Sequence, residues 1–331
     1  MKRIFTLLVL VLSLVLSLAS CNSARYNDAL ALIESGKYDE AYAILSELGG
    51  YKDAEELLSR FYYVPTSAVC YEDGEVIAVE FTYNDKNLPI RTVYYEADGE
   101  IDVQYDYIYD DSGRMIKEVL TEEGDDAMYY DYTYDARGNL IKTVCNYGDD
   151  FKIVHEETYD ENGRLINSKS SYGDDETYSS DYVYDESGRI IKEINTSADG
   201  DVATYELSYD ENGRHIKTVA IFSDGTKSED TFIYDENGNL IKEDYAYADG
   251  KHNVYEYFYD QKGTLIKEVY TYYDGYVSTY EYSYDENGNV IRSSYSNGES
   301  EESVEIEYKR VYIATPLMKP TAEVIDFAAW W

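Results

Sequence analysis

The chain has 331 residues, a net charge of -39, 41 Tyr against eight Phe, and only four Pro. So large a negative charge repels phosphate backbones and excludes nucleic-acid binding. Scarce Pro suits long uninterrupted strands, and Tyr, an apolar ring with a polar tip, suits surfaces that stay wet.

The N-terminus carries Lys2 and Arg3, an apolar run from Ile4 to Leu18, and then Leu18-Ala19-Ser20-Cys21. The run is too short and wrongly flanked for a stable membrane span and reads as a processing segment. Its end resembles a bacterial lipobox. That resemblance implies a signal peptide over residues 1–20, cleavage before Cys21, and acylation of the Cys21 thiol. Membrane lipid would then hold the protein outside the cytoplasm, at the cell surface or in the periplasm. An ordinary secretory signal is the alternative.

Residues 21–62 change character. Ala29, Leu32, Ile33, Ala41, Ile44, Leu45 and Leu48 recur at helical spacing, with breaks at Gly36 and at Gly49-Gly50. A small helical hairpin follows. The stretch from Ala29 to Leu48, with Gly36, Tyr38 and Ala41, resembles one tetratricopeptide unit, without that family's early Trp and closing Pro. A single unit cannot bury its own apolar face. It is expected to pack on the first strands and shield a sheet edge, with a peptide-binding groove as the alternative.

From residue 63 to 312 the period becomes two. Tyr-Asp recurs from Tyr109 to Tyr284 every 25 residues. In the last clear copy Tyr280, Tyr282 and Tyr284 alternate with Glu281 and Ser283, a strand with one aromatic face. Asp285-Glu286-Asn287-Gly288 is turn chemistry, and Val290, Ile291 and Arg292 begin the return strand. A second turn, such as Asp249-Gly250 or Asp274-Gly275, separates repeats. Each repeat is therefore two strands and two turns. The fold predicted is mainly β: a long antiparallel meander of hairpins forming a twisted or spiralling single sheet, with curling toward a tube left open. Neither face is uniformly apolar, which argues against a membrane barrel.

A three-residue loop with a Gly bulge would pair Asp285 with Asn289, Tyr284 with Val290 and Tyr282 with Arg292. The recurring cations (Arg91, Lys117, Lys142, Lys192, Lys217, Lys242, Lys267, Arg292) would then interleave with Tyr, and Ile116, Ile141 and their equivalents would line the other face. Cys70 and Cys145 stand 75 residues apart. Six strands at ~4.8 Å would separate them by about 29 Å, so both thiols are expected free.

The units from Tyr159 to Leu165 and from Tyr184 to Ile190 look like the YD repeat of the Rhs family. The resemblance implies a continuous β-sheet that winds as a spiral. Toxin encapsulation does not carry over, because neither a toxin domain nor a shell-closing core motif is recognisable.

Chemistry finds little foothold. His215 replaces the Leu of other repeats and His155 replaces a Tyr, so both read as drifted repeat positions. His252 shows no evident partner. The Asp-rich turns match what turn backbone prefers, with calcium as the lesser reading; neither a metal nor a cofactor is expected. The tail, 313–331, holds Phe327, Trp330 and Trp331 and would cap the sheet or dock a partner. The function expected is non-enzymatic binding or adhesion to a polysaccharide or protein, through Tyr132, Tyr182, Tyr257, Tyr282, Trp330 and Trp331. An envelope hydrolase or an accessory factor of a toxin system is the alternative.

Overall fold

The computed structural model describes residues 22–72, 75–122, 127–148, 151–173 and 176–312. The signal segment, Cys21 and the tail with Phe327, Trp330 and Trp331 lie outside the described residues. The chain divides into two compact units. One contains residues 22–66, 82–89 and 307–312, and the other contains 67–81 and 90–306.

Twenty strands, from β1 (Phe61–Glu72) to β20 (Glu301–Tyr312), form one sheet. Each pairs with its neighbours in sequence, antiparallel wherever the register is resolved. The meander of hairpins is as the alternation predicts. The open sheet is not: β1 also pairs with β20, so the ladder closes on itself as a barrel. Open sheets beyond about ten strands curl, and pairing the first strand with the last removes both unpaired edges.

In the first unit, helix α1 (residues 22–34) ends at Gly36, whose φ of 73° lets its amide reach the Ile33 carbonyl at 3.1 Å. Helices α2 (Tyr38–Leu48) and α3 (Ala54–Leu58) follow. Ala29, Leu45 and Ala54 are fully buried and cluster with Tyr26, Leu48 and Leu57. Phe61 and Tyr312 pack against this cluster, so it rests on the outer ends of the first and last strands. The edge that the helices were expected to shield does not exist, because both sides of β1 are paired. Arg310 locks the unit. It bonds Asp39 at 2.9 Å and the Tyr63 hydroxyl, and lies over the Tyr42 ring at 3.9 Å.

The second unit is built from the repeat. In β18 (Val277–Tyr284) and β19 (Val290–Ser296), the Asp285 amide donates to the Asn289 carbonyl at 3.0 Å. The Gly288 amide donates to the Asp285 carbonyl at 3.2 Å, and Gly288 takes a φ of 87°. This is the predicted three-residue loop, and Tyr284 faces Val290 as expected. One step further the register departs. Ile291 is an extra, bulged residue, so Ser283 faces Arg292 and Tyr282 faces Ser293. A one-residue slip exchanges faces. The cations therefore lie opposite the covered Tyr face and share the exposed face with Ile, where Lys117 lies 4.6 Å over the exposed Tyr129 ring.

Burial follows the same division. The Tyr side of β18, at Ser278, Tyr280, Tyr282 and Tyr284, is covered or half-covered, whereas Val277, Glu281 and Ser283 are exposed. Ile116, Ile166, Ile216 and Ile266 are exposed large hydrophobics. On their face the cations pair across strands with carboxylates: Lys142 with Glu156 at 2.9 Å, Lys217 with Glu229 at 2.7 Å and Lys267 with Glu281 at 3.0 Å. Such exposed pairs stabilise by about 0–1 kcal/mol each.

Candidate functional site

The Tyr-Asp phrase is a clamp between consecutive hairpins. In the fullest copies the Asp accepts from three backbone or side-chain groups of its own turn. Asp185 takes the amides of Ser187 and Arg189 on Oδ1, at 2.9 Å each, and the Arg189 guanidinium on Oδ2 at 2.7 Å. The hydrogen bond from the Arg189 amide, then the hydrogen bond and charge of its side chain, hold the Asp185 carboxyl below the usual carboxylate range. The same Arg lies over Tyr209 of the next repeat at 4.7 Å. Tyr209 in turn donates its hydroxyl to the Ile190 carbonyl at 2.6 Å, 19 residues earlier. Tyr134, Tyr159, Tyr184, Tyr234, Tyr259 and Tyr284 make the equivalent bond. Both letters of the phrase are thereby consumed by structure.

The candidate binding tyrosines lie one step inward from these, on the covered face. Tyr132 donates to Glu118 at 3.0 Å, Tyr257 to Glu243 at 3.1 Å and Tyr282 to Glu268 at 2.9 Å. Tyr245 and Tyr270 also hydrogen-bond to Glu243 and Glu268, respectively. Glu268 is only 9% exposed, so its charge rests on these donors. Burial, then the neighbouring carboxylate charge, pushes the hydroxyls of Tyr257 and Tyr282 well above the usual phenol range. Tyr182 is raised by burial and by Glu193, and shares a hydrogen bond with Ser180. The glutamates were missed as site residues. Their signal was present: each follows a recurring cation, in Lys117-Glu118, Lys192-Glu193, Lys242-Glu243 and Lys267-Glu268, and consecutive strand residues point to opposite faces.

Beside this network runs an aromatic ladder. Tyr245, Tyr255, Tyr270, Tyr280 and Tyr295 stand ring to ring, with centroids 5.0, 4.6, 5.4 and 5.0 Å apart. His155 occupies a ladder position, edge-on to Tyr172 and bonded to Ser170 at 2.7 Å. His215 packs on Phe232 at 4.3 Å and bonds Thr218 at 2.9 Å, and its burial lowers the imidazole pKa. Both fit as drifted repeat positions. His252 does have a partner, Asp244 at 2.6 Å across the inter-repeat turn, which the sequence spacing of eight residues hid. Cys70 on β1 and Cys145 on β7 (Leu140–Tyr147) are both buried and form no disulfide among the described residues, six strands apart as predicted. Among the described residues, no three His, Cys, Asp or Glu side chains gather as metal ligands, and no helix is long and apolar enough to cross a membrane.

A family model described as the teneurin YD-shell matches residues 142–248. No curated protein matches the chain. Among solved structures, the Tc holotoxin pore of Photorhabdus luminescens is similar at 16% identity over 66% of this chain and 13% of that one, with a TM-score of 0.41. A TcdB2-TccC3-TEV structure is 14% identical over 77% of this chain and 16% of that one, with a TM-score of 0.30. A porin-like protein from Bacteroides uniformis is 12% identical over 74% of this chain and 96% of that one, with a TM-score of 0.34. The chain thus spans 13% and 16% of the first two of these chains. The matched segment, and the closed meander of Tyr-Asp hairpins that contains it, together support a protein of the YD-repeat type.

Proposed function

We propose that this protein is a non-enzymatic scaffold of the bacterial envelope, anchored by lipid on Cys21, whose repeat barrel binds a polysaccharide or protein. The observation that carries this reading is the inter-repeat clamp. The recurring Tyr and Asp spend their polar groups within the sheet, the Asp on its own turn and the Tyr on the preceding hairpin, and the turn Arg, where present, lies over the Tyr of the next repeat. A chain selected for that is selected for its surface, and binding specificity falls to positions where the repeat varies. The lipobox-like sequence ending in Cys21 supports the anchor and a location outside the cytoplasm.

Two measurements test the reading. Metabolic labelling with a palmitate analogue should mark the protein, and Cys21→Ala should abolish the label and release the chain from membranes. A glycan array and a pull-down with the full chain should return a saturable polysaccharide or protein ligand. Turnover of an envelope polymer by the purified protein would replace the scaffold with a hydrolase. A closed ladder also suits a second reading, a shell-type accessory factor that holds a polypeptide of a toxin system. Capture of one unfolded polypeptide and no glycan would favour it.

A further inference from the structure

The aromatic ladder has a gap. In the hairpin of β16 (His252–Tyr259) and β17 (Leu265–Thr271), Tyr255 faces Tyr270, and in the hairpin of β18 and β19 Tyr280 faces Tyr295. The equivalent pair in the hairpin of β10 (Glu176–Tyr184) and β11 (Ile190–Thr196) is Ser180 facing Asn195. On the next strand, β12 (Val202–Tyr209), Asn195 faces Ala203. Three small side chains thus stand together on the covered face. The space they leave is an open cavity of about 400 Å³, within the range of small-molecule sites.

Its walls are not those of a packing defect. Tyr178 and Phe222 present aromatic rings to it, and Tyr178 is 42% exposed. Asp201 lines it with a carboxylate that accepts from Ser223 at 2.9 Å. Asn195 Oδ1 is buried in this lining and accepts no hydrogen bond from the protein. A buried acceptor without a donor is costly by about 1–3 kcal/mol. Flat apolar walls combined with carboxamide, carboxylate and hydroxyl groups are the chemistry that recognises a sugar ring. Its axial C–H face packs on an aromatic ring while its rim hydroxyls donate and accept.

We infer that the gap in the ladder at Ser180 and Asn195 is a binding site for a neutral sugar ring, one residue of a glycan. The site rests on the binding-scaffold reading and names its ligand class. The test uses the full chain with glucose, galactose, N-acetylglucosamine and their β-linked disaccharides, read by saturation-transfer NMR and calorimetry. Saturable binding at millimolar sugar is expected. The pair Ser180→Tyr with Asn195→Tyr closes the gap with the residues that β16 to β19 already carry in the same register, so it should fold, and it should weaken binding at least about tenfold. Tyr178→Ala removes a partly exposed ring that also packs edge-on against Tyr172 at 5.6 Å; it should lower the melting temperature only slightly and weaken binding while the strand signal is retained. Absence of saturable binding to every sugar overturns the site, as does undiminished binding in the Tyr178 variant. Binding of a glycan or protein by wild type that both variants retain would leave the scaffold standing and remove this site alone. Absence of any ligand from the array and pull-down would remove both.

Discussion

The helical unit and the hairpin array solve the same problem by different physics. Around Leu45 the helices bury aliphatic side chains completely, and stability there comes from area removed from water. Along the array, by contrast, buried apolar residues such as Met115, Leu120 and Ala220 are scattered, Asn253, Glu268, Ser278 and Ser293 are the buried residues of their strands, and the rings between them are half covered. What holds those strands is a recurring set of directed bonds: Asp to turn amides, Tyr to a distant carbonyl, Tyr to Glu. A core of the first kind fails when volume is removed. A core of the second kind fails when protonation changes.

The largest effect that separates the two regions should therefore be collective and driven by pH. Folding depresses the carboxyls of Asp135, Asp160, Asp185 and Asp260, in each case chiefly through a backbone amide of the turn. A depressed folded pKa gives stability that is present above the unfolded value of about 3.9 and is lost as pH falls through the folded one. At the other extreme, burial raises Tyr245, Tyr257 and Tyr282 above their ordinary phenol values. That stability is complete below pH about 10 and is lost as pH rises beyond it. The β signal in circular dichroism should collapse below pH 4 and again above pH 10, as one transition shared by the repeats. An array that kept its strand signal across both limits would show that packing, not directed bonding, holds it.

Next in size is a change confined to the helices. Leu45→Ala leaves a cavity in a site with no exposed surface and should cost about 3 kcal/mol. Hydrogen exchange should report the loss in residues 22–58 first. A loss of similar size from Tyr234→Phe would erase the contrast. That substitution keeps the ring under Arg214 and removes only the bond to the His215 carbonyl. Its expected cost is about 1 kcal/mol, seen as a small shift of the denaturant midpoint at constant slope.

The two regions also differ in how far the sequence discloses them. Helical spacing from Ala29 to Leu48 locates the first unit, and Gly36 marks its break. In the array, the alternation around Tyr282 and the turn at Gly288 give the strand order and the first cross-strand pair. Two features escape. The bulge at Ile291 is invisible to a period-two pattern, because nothing in Val290-Ile291-Arg292 says which residue is the extra one. The slip placed Arg292 on the wrong face and concealed the glutamates that cap Tyr257 and Tyr282. Closure is not fixed by the pattern either, since β1 pairs with β20 from the far end of the chain, where the Thr66 hydroxyl also donates to the Glu307 carbonyl, and such pairing leaves no periodic trace. At the candidate site, the alternation places the recurring Tyr on one face, and the exception to it, Ser180 facing Asn195, is apparent only once the register is known.

The smallest effect sharpens the claim that variable repeat positions are tolerated. His215 stands where other repeats carry Leu165, Leu240 and Leu265, all at the start of the return strand. His215→Leu should change stability by no more than about 0.5 kcal/mol at pH 8, since apolar burial gained offsets the lost bond to Thr218. The difference should then grow on acidification. Burial lowers the His215 pKa in the folded chain, so below pH about 6.5 the unfolded state binds the proton more readily and wild type loses stability that the Leu variant keeps. Between pH 7 and 5 the variant should rise relative to wild type. A variant that falls relative to wild type as pH drops would mean that the imidazolium is welcomed in the fold, and that position 215 carries a charge-dependent role instead of a drifted Leu.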